Sequence, residues 1–212
     1  MDPIERATIL HFHRHRIQVH GSGAVEALGW RDANSQRSRF EVIAACADFT
    51  DSAVLDIGCG SGDLKAFLDE RFSGLRYLGI DQMPEFIDQA RLRYAAQPDT
   101  AFVLGHFDTM TLPRADQVVA SGALGYRSAD PHFVFNAIAR MYAAADRLLV
   151  FNVLDAAHFP DHPLLVGRDV AEIEAFCRKL APQVELIRGY AVDDATLVLR
   201  RAPPSKGDSH GG

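Results

Sequence analysis

The feature that most constrains the fold is a glycine-rich turn between a predicted buried strand and a predicted helix. Residues 54–64 read VLDIGCGSGDL. The first four have the length and apolar character of a buried strand, and apolar residues recur at helical spacing from Leu64 to Phe72. The turn between them contains Gly58, Gly60 and Gly62. Such a turn places bare backbone N–H groups and a helix N-terminus beside a ligand.

The spacing of these glycines narrows the choice of ligand. A dinucleotide fingerprint, G-x-G-x-x-G, would need a third glycine where Asp63 stands. The phosphate-binding pattern G-x-x-x-x-G-K-[ST] does not occur in the chain. The turn therefore favours a nucleoside without phosphates over a nicotinamide or flavin cofactor.

A second acid completes the pattern 25 residues after Asp56. Asp81 follows the apolar strand predicted over residues 75–80. In a doubly wound sheet, a carboxylate at this strand tip can accept hydrogen bonds from both ribose hydroxyls of a nucleoside. Asp81 is thus predicted to bind ribose, and the alternative is a cap for the helix that begins at Pro84.

The sequence D-x-G-x-G-x-G after a strand resembles motif I of the class I S-adenosylmethionine-dependent methyltransferases, over about residues 50–200. The resemblance implies S-adenosylmethionine as the cofactor. It also implies that Asp108, four residues before Leu112-Pro113, binds the adenine amino group. Further cofactor-binding residues implied are Asp56, Gly58, Cys59, Gly60, Gln82, Met83, Phe107 and Ser121.

The remaining chain alternates predicted strands and helices, which indicates an α/β, doubly wound, mostly parallel sheet. The predicted strands are 53–57, 75–80, 101–105, 116–121, 147–153, 184–190 and 195–201, and the helices are 62–72, 84–96, 131–145 and 169–180. The last two strands predict a C-terminal antiparallel hairpin. The resemblance implies seven strands in the order 3-2-1-4-5-7-6.

The length of 212 residues suits one domain. We expect an N-terminal lid and helical segment over residues 1–49, a cofactor-binding core over 50–201 and a disordered tail over 202–212. His11, His13, His15 and His20 alternate with other residues in the lid, a pattern that favours a partly solvated segment over a metal site.

Methyl transfer from a sulfonium is an in-line displacement, which needs alignment and, for some acceptors, a base. His20 beside Gly21 is the predicted base, and His158 is a second candidate. Tyr126 follows the tip of the fourth strand, and Asn152 lies at the end of the fifth, so both are predicted at the ligand edge of the sheet. Tyr126 is predicted to form an aromatic wall beside the sulfonium, and Asn152 to orient a polar group of the substrate.

Trp30 and Arg39, which precede motif I, each have two interpretations. Trp30 either fills the core or stacks on substrate. Gln36 and Arg39 share a helix face, and Arg39 either binds a ligand carboxylate or forms a surface salt bridge.

Composition limits the partners. A formal net charge of −6 disfavours nucleic acid, and no apolar run reaches the roughly 18 residues of a membrane span. Three scattered cysteines and the absence of a signal peptide favour the cytoplasm. No feature indicates an oligomeric state.

The fourth strand ends in Ala120-Ser121-Gly122-Ala123 rather than the [ND]-P-P-[YF] of family members that methylate nucleic-acid or protein amides. We therefore expect methyl transfer to a small molecule, with oxygen or nitrogen as acceptor. The alternatives are a cyclase or lyase that consumes S-adenosylmethionine, and a binding module without catalysis. A nicotinamide enzyme is disfavoured by Asp63 and by the hairpin.

Overall fold

The computed structural model describes residues 1–202, so most of the tail expected over 202–212 lies outside the described residues. Helices cover both faces of a seven-stranded sheet of order β3-β2-β1-β4-β5-β7-β6, which confirms the predicted architecture. The elements are α1 (Pro3–His20), α2 (Ala33–Ala45), β1 (Ala53–Ile57), α3 (Asp63–Asp69), β2 (Arg76–Asp81), α4 (Pro84–Arg93), β3 (Thr100–Leu104), β4 (Ala115–Ala120), α5 (Phe133–Ala144), β5 (Ala145–Leu154), α6 (Val170–Leu180), β6 (Gln183–Ile187) and β7 (Asp194–Arg200).

Both faces of the sheet are buried because successive strand residues point to opposite sides. Leu55 belongs to the cluster formed with α5 and α6, whereas its neighbour Val54 belongs to the cluster formed with α2, α3 and α4. This explains why the central strands are continuous apolar runs rather than alternating patterns.

Strands β1 to β5 pair in parallel, and β7 pairs antiparallel with both β5 and β6. The strand order reverses direction between β1 and β4. In open parallel sheets the ligand binds at the carboxyl ends of the strands beside such a switch point. The topology therefore directs attention to the loops after β1, β2 and β4.

Two predicted helices are shorter than their apolar spacing suggested. The helix predicted over 62–72 ends at Asp69, and the helix predicted over 84–96 ends at Arg93. Phe72 still packs on Phe49, with ring centroids 5.3 Å apart, from the turn after α3. The apolar period thus continues beyond the helix because Phe72 packs inward, although its neighbours in the turn are exposed.

The histidine-rich segment folds as the long helix α1. Asp2 and Glu5 form a capping box at its start, and Pro3 occupies its first turn. Its buried residues are Ile9 and His13, four positions apart on one face. Among residues 1–202, no three histidine, cysteine or acidic side chains are grouped as a metal site would require. No helix within this range combines the length and apolar character needed to cross a membrane.

Candidate active site

A cavity of about 560 Å³ lies at the carboxyl edge of the sheet. Its floor is the glycine turn after β1, its sides are the ends of β2 and β4, and α1 contributes Phe12, His13 and Arg16. This volume is within the range of small-molecule sites. All the predicted cofactor-binding residues line it: Asp56, Gly58, Cys59, Gly60, Asp81, Gln82, Met83, Phe107, Asp108 and Ser121.

The glycine turn requires residues without a side chain. Gly58 and Gly60 have φ angles of 74° and 53°, in the left-handed region that L side chains rarely adopt. A Cβ on Gly58 would lie 2.7 Å from the Cβ of Ala123, and one on Gly60 would lie 2.6 Å from a methyl of Leu28. The bare backbone therefore forms a cradle that a side chain would fill.

Asp81 lies at the end of β2 with its carboxylate tied to this cradle. Its Oδ2 accepts a hydrogen bond from the Gly60 N–H at 2.9 Å, and its Oδ1 accepts one from the Met83 N–H at 2.8 Å. The helix after it begins at Pro84 without a side-chain cap. Asp81 therefore links the two loops that would enclose a ribose, and each oxygen retains a lone pair for a ligand hydroxyl.

Asp56 is 2% exposed at the base of the site. It accepts a hydrogen bond from the Tyr77 hydroxyl. Burial raises the pKa of Asp56 to about 7, the negative charge of Asp81 acts in the same direction, and the Tyr77 hydrogen bond opposes the shift. The contact that Asp56 makes in the structure is thus with Tyr77, and a direct contact with the cofactor stays a prediction.

This pKa predicts a pH-dependent stability. The folded protein binds the Asp56 proton more tightly than the unfolded chain, so this group's contribution to stability falls as pH rises from about 4 to about 7. Asp56→Asn removes that titration while keeping an acceptor for Tyr77. We expect the free energy of unfolding of the variant, relative to wild type, to rise by about 1 kcal/mol or more over this interval. Urea unfolding at several pH values measures it, and a difference independent of pH would contradict the assignment.

On the predicted adenine side, Met83 is 1% exposed and lies in a small cluster with Phe86 and Ala27. Asp108 accepts hydrogen bonds from Arg6, at 3.0 and 3.1 Å, and from the Met1 amine at 2.8 Å. Burial opposes ionisation of Asp108, but these bonds outweigh it and lower its pKa. Asp108 would therefore have to share its carboxylate between α1 and an adenine amino group.

At the tip of β4, the Ser121 hydroxyl is buried and has no partner among the described residues. The next residue, Gly122, donates its N–H to the Asn152 side-chain oxygen at 2.7 Å. The Asn152 amide nitrogen donates to both carboxylate oxygens of Asp194, at 2.8 and 2.9 Å. Asn152 thus holds the β4 tip in place, and its direct role toward substrate stays a prediction.

Asp194 also forms an ion pair with the Arg39 guanidinium. The Asp194 side chain is 0% exposed and the Arg39 side chain 8% exposed. Arg39 stacks over Trp30, its guanidinium carbon 5.0 Å from the ring centroid. The carboxylate that Arg39 binds is therefore the chain's own rather than a ligand's, and the pair is buried rather than on the surface. Gln36 donates to Asp63 at 3.2 Å, and it lines the cavity together with Trp30 and Arg39.

The two histidines predicted as bases, His20 and His158, lie outside the cavity. His20 is exposed at the end of α1. Three histidines do line the cavity, His13, His106 and His162, and of these His13 has its Nε2 2.6 Å from the Tyr126 hydroxyl. Its position four residues after Ile9, on the buried face of the helix, is the signal in the sequence that distinguishes it from His20.

The site suits the expected cofactor. The cradle at Gly58 and Gly60 admits a ligand without a side-chain clash, Asp81 can accept from two hydroxyls, and the unpartnered Ser121 hydroxyl is available to a polar group. These residues would hold the nucleoside and its amino-acid portion.

Comparison with known proteins agrees with this geometry. A family model described as a methyltransferase domain matches residues 55–145. A Mycobacterium tuberculosis protein named "Putative methyltransferase Rv1506c" is 30% identical over 161 residues, covering 71% of this chain and 93% of that protein. A trans-aconitate 2-methyltransferase of Afipia carboxidovorans is 25% identical over 162 residues, which are 76% of this chain and 60% of that enzyme.

Among solved structures, magnesium protoporphyrin IX methyltransferase of Synechocystis with bound SAM superposes with a TM-score of 0.70. The identity is 17%, and the match covers 95% of this chain and 98% of that one. At that identity the likeness shows a shared fold.

Proposed function

Since the chain belongs to the class I S-adenosylmethionine-dependent methyltransferases, we propose that it methylates an oxygen or nitrogen atom of a small molecule. The observation that carries the proposal is the cavity at the sheet edge, which Asp81, the glycine cradle and Tyr126 all line. When bound, the cofactor supplies a methyl group that its sulfonium has already made electrophilic.

The small size of the acceptor is supported by how α1 covers the cavity. Phe12, His13 and Arg16 of this helix all line it, and Arg6 connects the helix to the loop after β3 through Asp108. A polymer would need an open groove in place of this cover. The trans-aconitate 2-methyltransferases among the relatives are named for a small molecule, which is consistent with the proposal.

The chain's own contribution is to align the reactants. The glycine cradle and Asp81 would hold the nucleoside, and the apolar wall of Phe12, Phe86 and Met83 would exclude water. Alignment of nucleophile, methyl carbon and leaving sulfur can supply much of the rate of an in-line displacement.

Calorimetric titration with S-adenosylmethionine, S-adenosylhomocysteine and NAD tests the proposal. We expect both sulfur nucleosides to bind with micromolar dissociation constants and NAD to give no heat. Product analysis then distinguishes methyl transfer, which yields S-adenosylhomocysteine, from cyclisation or cleavage, which yields methylthioadenosine. Failure of both sulfur nucleosides to bind would contradict the proposal.

A further inference from the structure

The pair formed by His13 and Tyr126 has a defined direction of hydrogen bonding. His13 is 5% exposed, its Nδ1 is 2.9 Å from the Ala27 carbonyl oxygen, and its Nε2 is 2.6 Å from the Tyr126 oxygen. A carbonyl oxygen only accepts, so the neutral ring carries its hydrogen on Nδ1. The Tyr126 hydroxyl consequently donates to Nε2, and the phenolic oxygen keeps a lone pair for a second donor.

The surroundings keep this imidazole neutral. The charged groups that face it are Asp81 from β2 and Arg16 from α1, while Phe12 and Phe86 approach its ring at 5.2 and 5.3 Å. Burial lowers the pKa of His13, and Arg16 acts in the same direction, although the Ala27 carbonyl and Asp81 favour the charged ring. At neutral pH, Nε2 therefore carries no proton and can take up the one that the Tyr126 hydroxyl donates.

Arg16 places a positive charge beside the pair. Its Nε donates to the Glu26 carbonyl oxygen, and within residues 1–202 no carboxylate lies within 4 Å of its guanidinium. Since Arg39 pairs with Asp194 and Arg31 with Asp193, Arg16 differs from both in having an uncompensated charge on the cavity wall.

We propose that His13 and Tyr126 act together as the general base of the methyl transfer, and that the acceptor is a hydroxyl group whose developing negative charge Arg16 stabilises. The inference rests on the proposed function. The acceptor oxygen gives its proton to the Tyr126 oxygen while Tyr126 gives its own proton to Nε2 of His13. The same oxygen bonds to the methyl carbon, and the breaking carbon–sulfur bond leaves its electron pair on sulfur. The imidazolium then loses its proton to water.

The charges favour a hydroxyl over an amine. An aliphatic amine enters as a cation at neutral pH, and both Arg16 and the sulfonium would repel it in a site of low dielectric constant. A hydroxyl enters neutral and becomes negative as its proton leaves, so the same two charges stabilise it. Tyr126 is then a catalytic residue, His13 takes up its proton, and Arg16 stabilises the negative charge on the acceptor oxygen.

The proton relay from Tyr126 to His13 can be tested without a methyl acceptor. In ¹⁵N-histidine NMR spectra of the protein saturated with S-adenosylhomocysteine, we expect His13 to be the neutral Nδ1–H tautomer at pH 7. Tyr126→Phe should shift its Nε2 resonance because the donor is lost, whereas His15→Gln, on the exposed side of α1, should leave it unchanged. A charged ring, the opposite tautomer or an unmoved Nε2 resonance in Tyr126→Phe would overturn the relay.

Turnover supplies the second test, with 4-(hydroxymethyl)benzoate and 4-(aminomethyl)benzoate as matched probes, because the aminomethyl group is a cation at neutral pH. We expect methylation of the hydroxyl probe, and for Tyr126→Phe and His13→Gln a kcat lower by about 100-fold or more. The acid limb of the pH profile should also flatten, while the KM for S-adenosylmethionine changes little. His15→Gln should behave as wild type, and thermal melting checks that each variant folds.

The outcomes separate this inference from the proposed function. Preference for the amino probe would overturn the acceptor class, and a wild-type rate and pH profile in Tyr126→Phe would overturn the relay. If neither probe is methylated, the NMR result alone decides the relay. The proposed function fails only if the sulfur nucleosides do not bind or yield no S-adenosylhomocysteine with any acceptor.

Discussion

Asp194→Ala is expected to lower the free energy of unfolding by about 3–5 kcal/mol, because it leaves the Arg39 guanidinium buried without its counter-ion. The two side chains are 0% and 8% exposed, so the guanidinium left behind is largely desolvated. The substitution also removes the acceptor for the Asn152 amide and the Tyr190 hydroxyl, which donates to Asp194 at 3.0 Å. Urea unfolding of wild type and variant measures the loss.

The adjacent residue provides a matched control. Asp193 pairs with Arg31 at 2.8 Å, but the Arg31 side chain is 71% exposed, and such pairs contribute about 0–1 kcal/mol. Asp193→Ala removes the same charge and should cost about 1 kcal/mol or less. The double variant Arg39→Met/Asp194→Leu should recover part of the stability because no unpaired charge remains. Equal losses in Asp193→Ala and Asp194→Ala would refute the interpretation.

Asp81→Ala is expected to weaken binding of S-adenosylmethionine by about 1.5–3 kcal/mol, roughly ten- to a hundredfold. The variant loses the acceptor for the ribose hydroxyls and also frees the Gly60 and Met83 N–H groups that hold the two loops together. Calorimetric titration of wild type and variant gives the change in dissociation constant.

Asp88→Ala is the corresponding control, because Asp88 is an acid on the neighbouring helix α4 with a side chain 74% exposed. It removes the same charge and should leave affinity unchanged. Thermal melting establishes that Asp81→Ala remains folded. An unchanged dissociation constant in folded Asp81→Ala would mean that this carboxylate does not hold the ribose.

Local patterns in the sequence were sufficient for much of the fold. The predicted strands and helices match the structure apart from their ends, since apolar periods of two and 3.6 residues are properties of short segments. The hairpin β6–β7 and the strand order were also predicted, the order from the resemblance alone. The placement of Asp81 followed from the strand before it, because the last residue of a parallel strand always faces the ligand edge.

The roles of the N-terminal histidines could not be predicted from local patterns. Three histidines alternate at positions 11, 13 and 15, a fourth follows at position 20, and the flexible glycines after His20 favoured that residue as the base. Folding as a helix places His13 in the core and leaves His20 exposed. The bond from His13 to Tyr126 spans 113 residues, and no local period encodes such a partner.

The sequence by itself determined the class of fold, the position of the glycine cradle and the acid at the end of β2, since each depends on residues close together in the chain. Only the tertiary structure decided that Arg39 is neutralised by Asp194, 155 residues away, and that Asp108 is bound by Arg6, 102 residues away. It also decided that Arg16 has no such partner among residues 1–202. The physical reason is that a charge's role depends on which opposite charge the fold brings within a few ångströms, and that distance is set by packing.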